Sequence, residues 1–184
     1  MNQVDTVYGP VSETVFQAAK QIRLLICDVD GVFSDGRIYL GNDGEELKAF
    51  HTKDGFGIKA LQNSGVAVAI ITGRKSAIVE NRMTNLGVKH IYQGVDNKLT
   101  AYEQLKRDLN VDDSQCAYIG DDMVDAPVMQ LTGLGVAVED AHPMLLKTAD
   151  LRTFTAGGFG AVREVCDLIM AAQGNLESAQ GMSV

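Results

Sequence analysis

Apolar positions in this chain come in short unbroken runs, separated by segments in which they recur at helical spacing. IRLLICDV (22–29), VAVAIITG (66–73), QCAYIGDD (115–122) and LGVAV (134–138) are too short for core helices and lack the alternation of a half-exposed strand. Such runs suit strands buried on both faces. VKHIYQG (88–94) predicts a further short strand. Between the runs, DGFGIKALQNSG (54–65) reads as a helix with an acidic start and a glycine stop. KSAIVENRMTNLG, NKLTAYEQLKRDLN and the short MVDAPVMQLTG read as helices, and GAVREVCDLIMAAQG (160–174) as a closing amphipathic one. One segment breaks the rhythm: in RIYLGNDGEELKAF (37–50) two short strand-like runs flank Gly41-Asn42-Asp43-Gly44, a hairpin turn signal.

Alternating strands and helices predict an α/β protein with a parallel sheet of five to six strands and helices on both faces. Neither a repeat nor an interdomain linker interrupts the pattern, so one domain spanning 1–184 is expected, with 37–50 as an inserted hairpin. NLESAQGMSV (175–184) is polar and carries no packing signal, and is expected to be a flexible tail.

Composition narrows the function classes. A hydrophobic content of 46% with 22% charged residues is ordinary for a soluble globular protein. The net charge of -8 argues against general nucleic-acid binding, which needs a basic patch. It does not exclude an anionic substrate, because a bound cation and a few local Lys or Arg residues reverse the field inside a cleft. The three cysteines, Cys27, Cys116 and Cys166, are scattered in apolar runs, as expected of reduced thiols rather than a disulfide frame or zinc site. The first fifteen residues have neither a basic nor an apolar signal region, and no run approaches membrane-spanning length. A cytoplasmic protein without membrane partners is expected.

In parallel sheets of this kind ligands bind beyond the carboxyl ends of the strands. Asp28 and Asp30 end the first predicted strand, Thr72 and Gly73 the second, and Asp121 and Asp122 the fourth. Any one of these is most simply a turn or helix-cap residue; the clustering is what points to chemistry. On extended backbone, residues two apart face the same side, so Asp28 and Asp30 are expected to face one centre. Gly31 lets the chain turn away. An EF-hand does not fit, because Val32 and Phe33 stand where an oxygen ligand and a glycine are needed. A hard divalent cation such as Mg2+ relieves the repulsion, with Asp121 as a further carboxylate. TGRKS (72–76) opens a helix with a hydroxyl and free N–H groups, which suits an anion. Lys98 opens the next helix, against the dipole, beside the expected phosphate pocket.

DVDG, ITG, a lone lysine and GDDMVD, in that order, resemble the four motifs of the haloacid dehalogenase superfamily of phosphatases, whose domain is Rossmann-like. The resemblance extends over nearly the whole chain. YGPV, the stretch from Ile22 to Leu61, AIITGRKS, YQGVDNK, GDDMVDAPVM and GGFGAVREVCDLI closely resemble the bacterial 3-deoxy-D-manno-octulosonate 8-phosphate phosphatases, which act in making the inner sugar of lipopolysaccharide. The resemblance implies that Asp28 is the nucleophile and forms an aspartyl-phosphate, and that Asp30 is the general acid and then the base. It implies that Thr72 and the Gly73 N–H hold phosphoryl oxygens and that Lys98 binds phosphate and orients Asp28. Mg2+ is implied between the Asp28 carboxylate, the Asp30 carbonyl and Asp121, with Asp122 and Asp125 in support.

For the sugar-acid part of the substrate the candidates are His51, Thr52, Lys53, Asp54, Gly55 and Lys59, with Arg74 and Arg82. Where the family often has arginine, Lys53 and Lys59 present point charges without a bidentate fork. His90 and His142 read as structural. Larger relatives close the site with a cap domain; here only the hairpin stands in its place. The resemblance implies a homotetramer built through such hairpins, with a neighbour's tail helping to close the site. Alternative readings are a phosphatase for a sialic-acid-like sugar 9-phosphate and a catalytically silent oligomerisation module of the same fold. A signalling receiver domain would lack the second aspartate of the DxD pair.

Overall fold

A computed structural model describes residues 2–179. An antiparallel pair, β1 (Gln3–Asp5) and β2 (Pro10–Ser12), leads into α1 (Glu13–Gln21), whose first turn is capped by the Ser12 hydroxyl accepting from the Val15 N–H at 3.2 Å. There follow β3 (Leu24–Cys27), the small antiparallel pair β4 (Tyr39–Leu40) and β5 (Glu46–Leu47), and α2 (Thr52–Asn63). β6 (Ala67–Thr72), α3 (Ala77–Asn85), β7 (His90–Gln93) and α4 (Lys98–Leu109) come next. The chain then runs through β8 (Cys116–Gly120), α5 (Ala126–Met129), β9 (Leu134–Ala137), α6 (Pro143–Leu146), β10 (Leu151–Arg152) and α7 (Ala161–Ala172).

The main sheet has six strands in the order β10-β9-β8-β3-β6-β7, every neighbouring pair parallel. β3 is central, and all four of its residues are buried, as are those of β8 and β9. In register, Cys27 lies opposite Ile70 of β6 on one side and Ile119 of β8 on the other. The ends of β8, β3 and β6 therefore stand next to one another, which is what brings three separate sequence motifs to one place. The sixth strand, β10, pairs through only two residues.

Boundaries differ from the sequence reading for identifiable reasons. The first sheet strand spans Leu24–Cys27 rather than 22–29, because the chain leaves the ladder at Asp28 and closes a turn on the Val29 carbonyl. That carbonyl accepts from the N–H groups of Val32, Phe33 and Ser34 at 3.1, 2.9 and 3.1 Å. Helix α2 begins at Thr52, not Asp54, since the His51 imidazole Nδ1 accepts from the Lys53 N–H at 3.1 Å and caps it. Asn175 to Ala179, the described part of the expected tail, do not lie free: Leu176 and Ala179 are partly buried against the core. Residues 180–184 of that tail lie outside the described residues.

Asp54 ties α2 to α7. It is almost wholly buried, and its Oδ1 accepts from the Arg163 N–H at 2.8 Å in the first turn of α7, while Oδ2 is buried without a partner. Burial pushes its pKa up to about 7, although the Arg163 N–H bond and the charges of Arg82 and Arg163 pull the other way. The folded state thus holds this proton more tightly than the unfolded chain, whose aspartates titrate near ~4. The associated stability is complete below that value, declines as pH rises toward 7, and is flat above it. Asp54→Asn keeps an oxygen for the Arg163 N–H and has no such decline. Urea unfolding of both proteins at pH 5 and pH 7.5 should therefore show the variant gaining on the wild type at the higher pH; a constant difference would refute a buried proton on Asp54.

Candidate active site

The nucleophile candidate sits where β3 runs out. Asp28 is 6% exposed, and its N–H still bonds the Ile119 carbonyl at 3.1 Å, so its backbone is fixed to β8 before the turn begins. Its Oδ1 lies 3.0 Å from Lys98 Nζ, too poorly aligned for a hydrogen bond, and has no other partner. Burial raises the Asp28 carboxyl to about 6, against the pull of Lys98 and with the push of Asp125.

Lys98 is the first residue of α4, after Asn97, whose side chain accepts from the Leu99 N–H at 3.0 Å. Its ammonium is buried and donates to Asp125 Oδ1 at 2.7 Å and to the Tyr118 hydroxyl at 3.1 Å. Burial alone lowers the pKa of this lysine, but Asp28 and Asp125 outweigh it, so Lys98 stays charged. Asp125 is fully buried and spoken for on both oxygens. Oδ1 takes Lys98 and the Tyr118 hydroxyl (2.7 Å), while Oδ2 takes the N–H groups of Asp121 and Asp122 at 3.0 and 3.2 Å. It shapes the loop after β8 and anchors the lysine.

Carboxylate oxygens of Asp28, Asp121 and Asp125 lie within 4.8 Å of one another. With Asp125 saturated by donors, Asp28 and Asp121 are the two that fit a cation. Asp121 is pushed up to about 8, first by burial and then by the charges of Asp28, Asp125 and Asp122. An oxygen-seeking divalent ion suits such a set: two carboxylates that resist ionising side by side, one with an unpartnered buried oxygen. Gly31 makes room for it. Its φ is +88°, and a β-carbon there would overlap the Asp121 carboxylate.

Asp30 lies in the turn on Val29 and is not one of the three clustered carboxylates. Asp30 Oδ1 instead accepts from the Lys48 ammonium, and Oδ2 lies 3.6 Å from Arg74 Nε. Thr72 ends β6, buried, with its carbonyl accepting from the Val95 N–H at 3.2 Å, and Gly73 and Arg74 follow it. Asp122 is exposed and its Oδ1 accepts from the Met123 N–H at 2.7 Å.

The remaining substrate candidates are dispersed. Thr52 and Lys53 are exposed on the first turn of α2, and His51 is that helix's cap. Asp54 faces α7 and Gly55 faces α3, where Arg82 Nη2 lies 2.6 Å from the position a Gly55 β-carbon would take. Lys59 lines a cleft of about 1140 Å³ with Phe56, Lys89 and His90. That cleft borders the starts of β6 and β7, the opposite end of the strands from Thr72. Asp54, Gly55, Lys59 and Arg82 thus do not join the carboxylate cluster of this chain. His142 caps α6, accepting from the Met144 N–H at 3.2 Å. Sequence reasoning missed Tyr118, which reads as strand core until its hydroxyl is placed, and the hairpin residues Glu46 and Lys48.

Residues 90–162 match the haloacid dehalogenase-like hydrolase family. The chain is 58% identical over 181 residues to the 3-deoxy-D-manno-octulosonate 8-phosphate phosphatase of Yersinia pestis, covering 98% of this chain and 97% of that protein. The crystal structure of the phosphatase of that name from Yersinia pestis superposes with a TM-score of 0.98 at 57% identity, covering 100% of this chain and 99% of that one. The Moraxella catarrhalis phosphatase, solved with magnesium, phosphate and KDO, superposes with a TM-score of 0.87 at 46% identity over 89% of this chain and 94% of that one. The chain belongs to the haloacid dehalogenase-like hydrolases. Within them it falls in the family of 3-deoxy-D-manno-octulosonate 8-phosphate phosphatases.

Gly31→Ala tests the carboxylate pocket directly. The added methyl displaces Asp121 and strains the turn, so Mg2+ affinity measured by calorimetry should fall about tenfold or more. Unchanged affinity in a variant that melts like the wild type would remove Asp121 from the ligand set.

Proposed function

We propose that this protein is a Mg2+-dependent phosphatase that hydrolyses 3-deoxy-D-manno-octulosonate 8-phosphate to the free sugar acid and phosphate, serving lipopolysaccharide inner-core synthesis. The observation that carries the reading is the Asp28 carboxylate itself: buried at a strand end, beside Lys98 at 3.0 Å, with an oxygen that nothing else occupies.

In the proposed reaction an Asp28 oxygen attacks phosphorus, an O–P bond forms, and the bond from phosphorus to the sugar oxygen breaks. Asp30 gives its proton to that departing oxygen. Then Asp30, now a carboxylate, takes a proton from water as the water oxygen attacks the aspartyl-phosphate, and the bond from phosphorus to Asp28 breaks. Phosphate leaves and Asp28 is restored. Lys98 orients Asp28 and offsets phosphoryl charge, with Asp125 and Tyr118 keeping its ammonium in place. Thr72 and the Gly73 N–H hold phosphoryl oxygens at the opening of the β6–α3 connection. Asp28, Asp121 and the Asp30 carbonyl would hold Mg2+, which when bound supplies the positive charge that lets one anion approach another. Arg74, at the same strand end, is the cation placed to meet the substrate's carboxylate.

Asp28→Asn should lose at least about 10³-fold in kcat with the fold retained, measured by phosphate release from the octulosonate 8-phosphate. EDTA should abolish the wild-type rate and Mg2+ restore it. Wild-type turnover by Asp28→Asn would refute the nucleophile, and faster turnover of a sialic-acid-like 9-phosphate would refute the substrate.

The proposed assembly is a cytoplasmic homotetramer of one-domain subunits in which hairpins pair and a neighbour's tail helps close the site. Supporting it, Ile38, Tyr39, Leu40 and Leu47 expose apolar side chains on a two-stranded hairpin that is marginal alone. Three buried free cysteines suit a reducing compartment. Among the described residues no helix is long and apolar enough to cross a membrane. Leu40→Ser with Leu47→Ser should lower the sedimenting mass toward the monomer; an unaltered tetramer would place the interface elsewhere.

A further inference from the structure

The hairpin does more than expose an apolar face. Lys48, directly after β5, has a side chain with no exposure, and its ammonium bonds Asp30 Oδ1 and lies 3.5 Å from Glu46 Oε1. Arg74, from the β6–α3 connection, donates to Glu46 Oε2 at 2.9 Å and approaches Asp30 Oδ2 at 3.6 Å. Two acids and two cations from three separate segments thus form one closed ring around Asp30.

We propose that Lys48 is the positioning residue for Asp30, fixing the carboxyl that delivers the proton to the leaving sugar oxygen. This rests on the acid role assigned to Asp30 above. Asp30 sits in the turn on Val29, and both of its carboxylate oxygens meet cations from other segments, so its aim is set from outside the turn. Lys48 and Arg74 are the two described cations in reach, and Arg74 is half exposed and already engaged by Glu46. A substrate carboxylate that recruits Arg74 leaves Lys48 as Asp30's remaining partner. Glu46 in turn steadies Lys48: its Oε1 is buried with no hydrogen bond, so the nearby ammonium is what offsets its charge. A buried lysine on a solvent-facing hairpin is unusual, since lysine stems bury easily while their charge seeks water.

The competing explanation is a structural clamp holding the hairpin to the domain. Leaving-group dependence separates the two. The alkoxide of a sugar phosphate needs a proton to depart; p-nitrophenolate does not. With an irreversible first chemical step, kcat/KM reports transfer of the phosphoryl group to Asp28 and is blind to the later water step. Lys48→Met should therefore lower kcat/KM for the octulosonate 8-phosphate about 10- to 100-fold while changing that for p-nitrophenyl phosphate less than about threefold. Lys48→Gln should behave likewise, and Lys48→Arg, which keeps a charged donor, should recover part of the loss. No residue of 37–50 is in the buried core, so these variants leave the sheet intact, as circular dichroism will verify. Asp30→Asn is the control for the acid role and should show the same substrate dependence, more strongly. Equal losses on both phosphates in Lys48→Met, or none on either, with Asp30→Asn selective, would overturn the Lys48 assignment alone. An Asp30→Asn variant without selectivity would overturn the acid role and the proposal with it.

Discussion

The structure of the site depends on one buried ammonium. Lys98 faces Asp28 and Asp125 and leans on Tyr118, and each of these would be costly to bury without it. Asp125 cannot be left charged at zero exposure except with donors on both oxygens, and Lys98 supplies one of them. The other oxygen gathers the N–H groups of Asp121 and Asp122, so the loop that carries Asp121 is shaped by the same carboxylate that holds the lysine. Fixing Lys98 therefore fixes the ends of β8 and β3 together. Even so, three carboxylates surround one cation. Burial first, and the repulsion among these carboxylates after it, drive Asp28 and Asp121 toward protonation, to about 6 and about 8. Offered a divalent ion, the same pair gives up its protons, because the ion replaces a repulsion with an attraction.

The three polar strand ends reach one place only because of strand order. β8, β3 and β6 are neighbours in space although β8 starts 49 residues after β6 and 92 after β3; Ile119, Cys27 and Ile70 line up across the sheet. What sheet order achieves is to place residues that are remote along the chain at neighbouring strand ends.

Much of this was legible in the sequence, and the failures have physical causes. Buried strands announce themselves as unbroken apolar runs, so β3, β6, β8 and β9 were readable, and their polar ends marked Asp28, Thr72 and Asp121. β10 was not readable, because a two-residue strand at a sheet edge leaves no pattern. The first two strands and α1 went unread for a similar reason: three-residue strands have no period, although Ser12 followed by Glu13 is an ordinary helix start. The reading of Asp28 and Asp30 as one extended pair did not foresee that the chain turns on Val29 between the strand and the hairpin. Tyr118 and Lys48 were invisible for a deeper reason. Each acts through a partner 20 and 18 residues away, Lys98 and Asp30, and spacing alone does not encode such pairs.

That last point bears on how a small hairpin substitutes for a cap. A cap domain excludes water by covering the site, and a segment of this size cannot do so alone. The hairpin can instead deliver charge: Glu46 and Lys48 reach Asp30 and Arg74 from it, while its apolar residues remain turned outward. The two faces then differ, one engaged by charge pairs within the chain and one presenting exposed apolar area. In the proposed assembly, a neighbour that fixes the outer face also narrows the positions open to Lys48, because the two faces share one backbone. The proposed assembly and the proposed proton transfer are then linked through one two-stranded element.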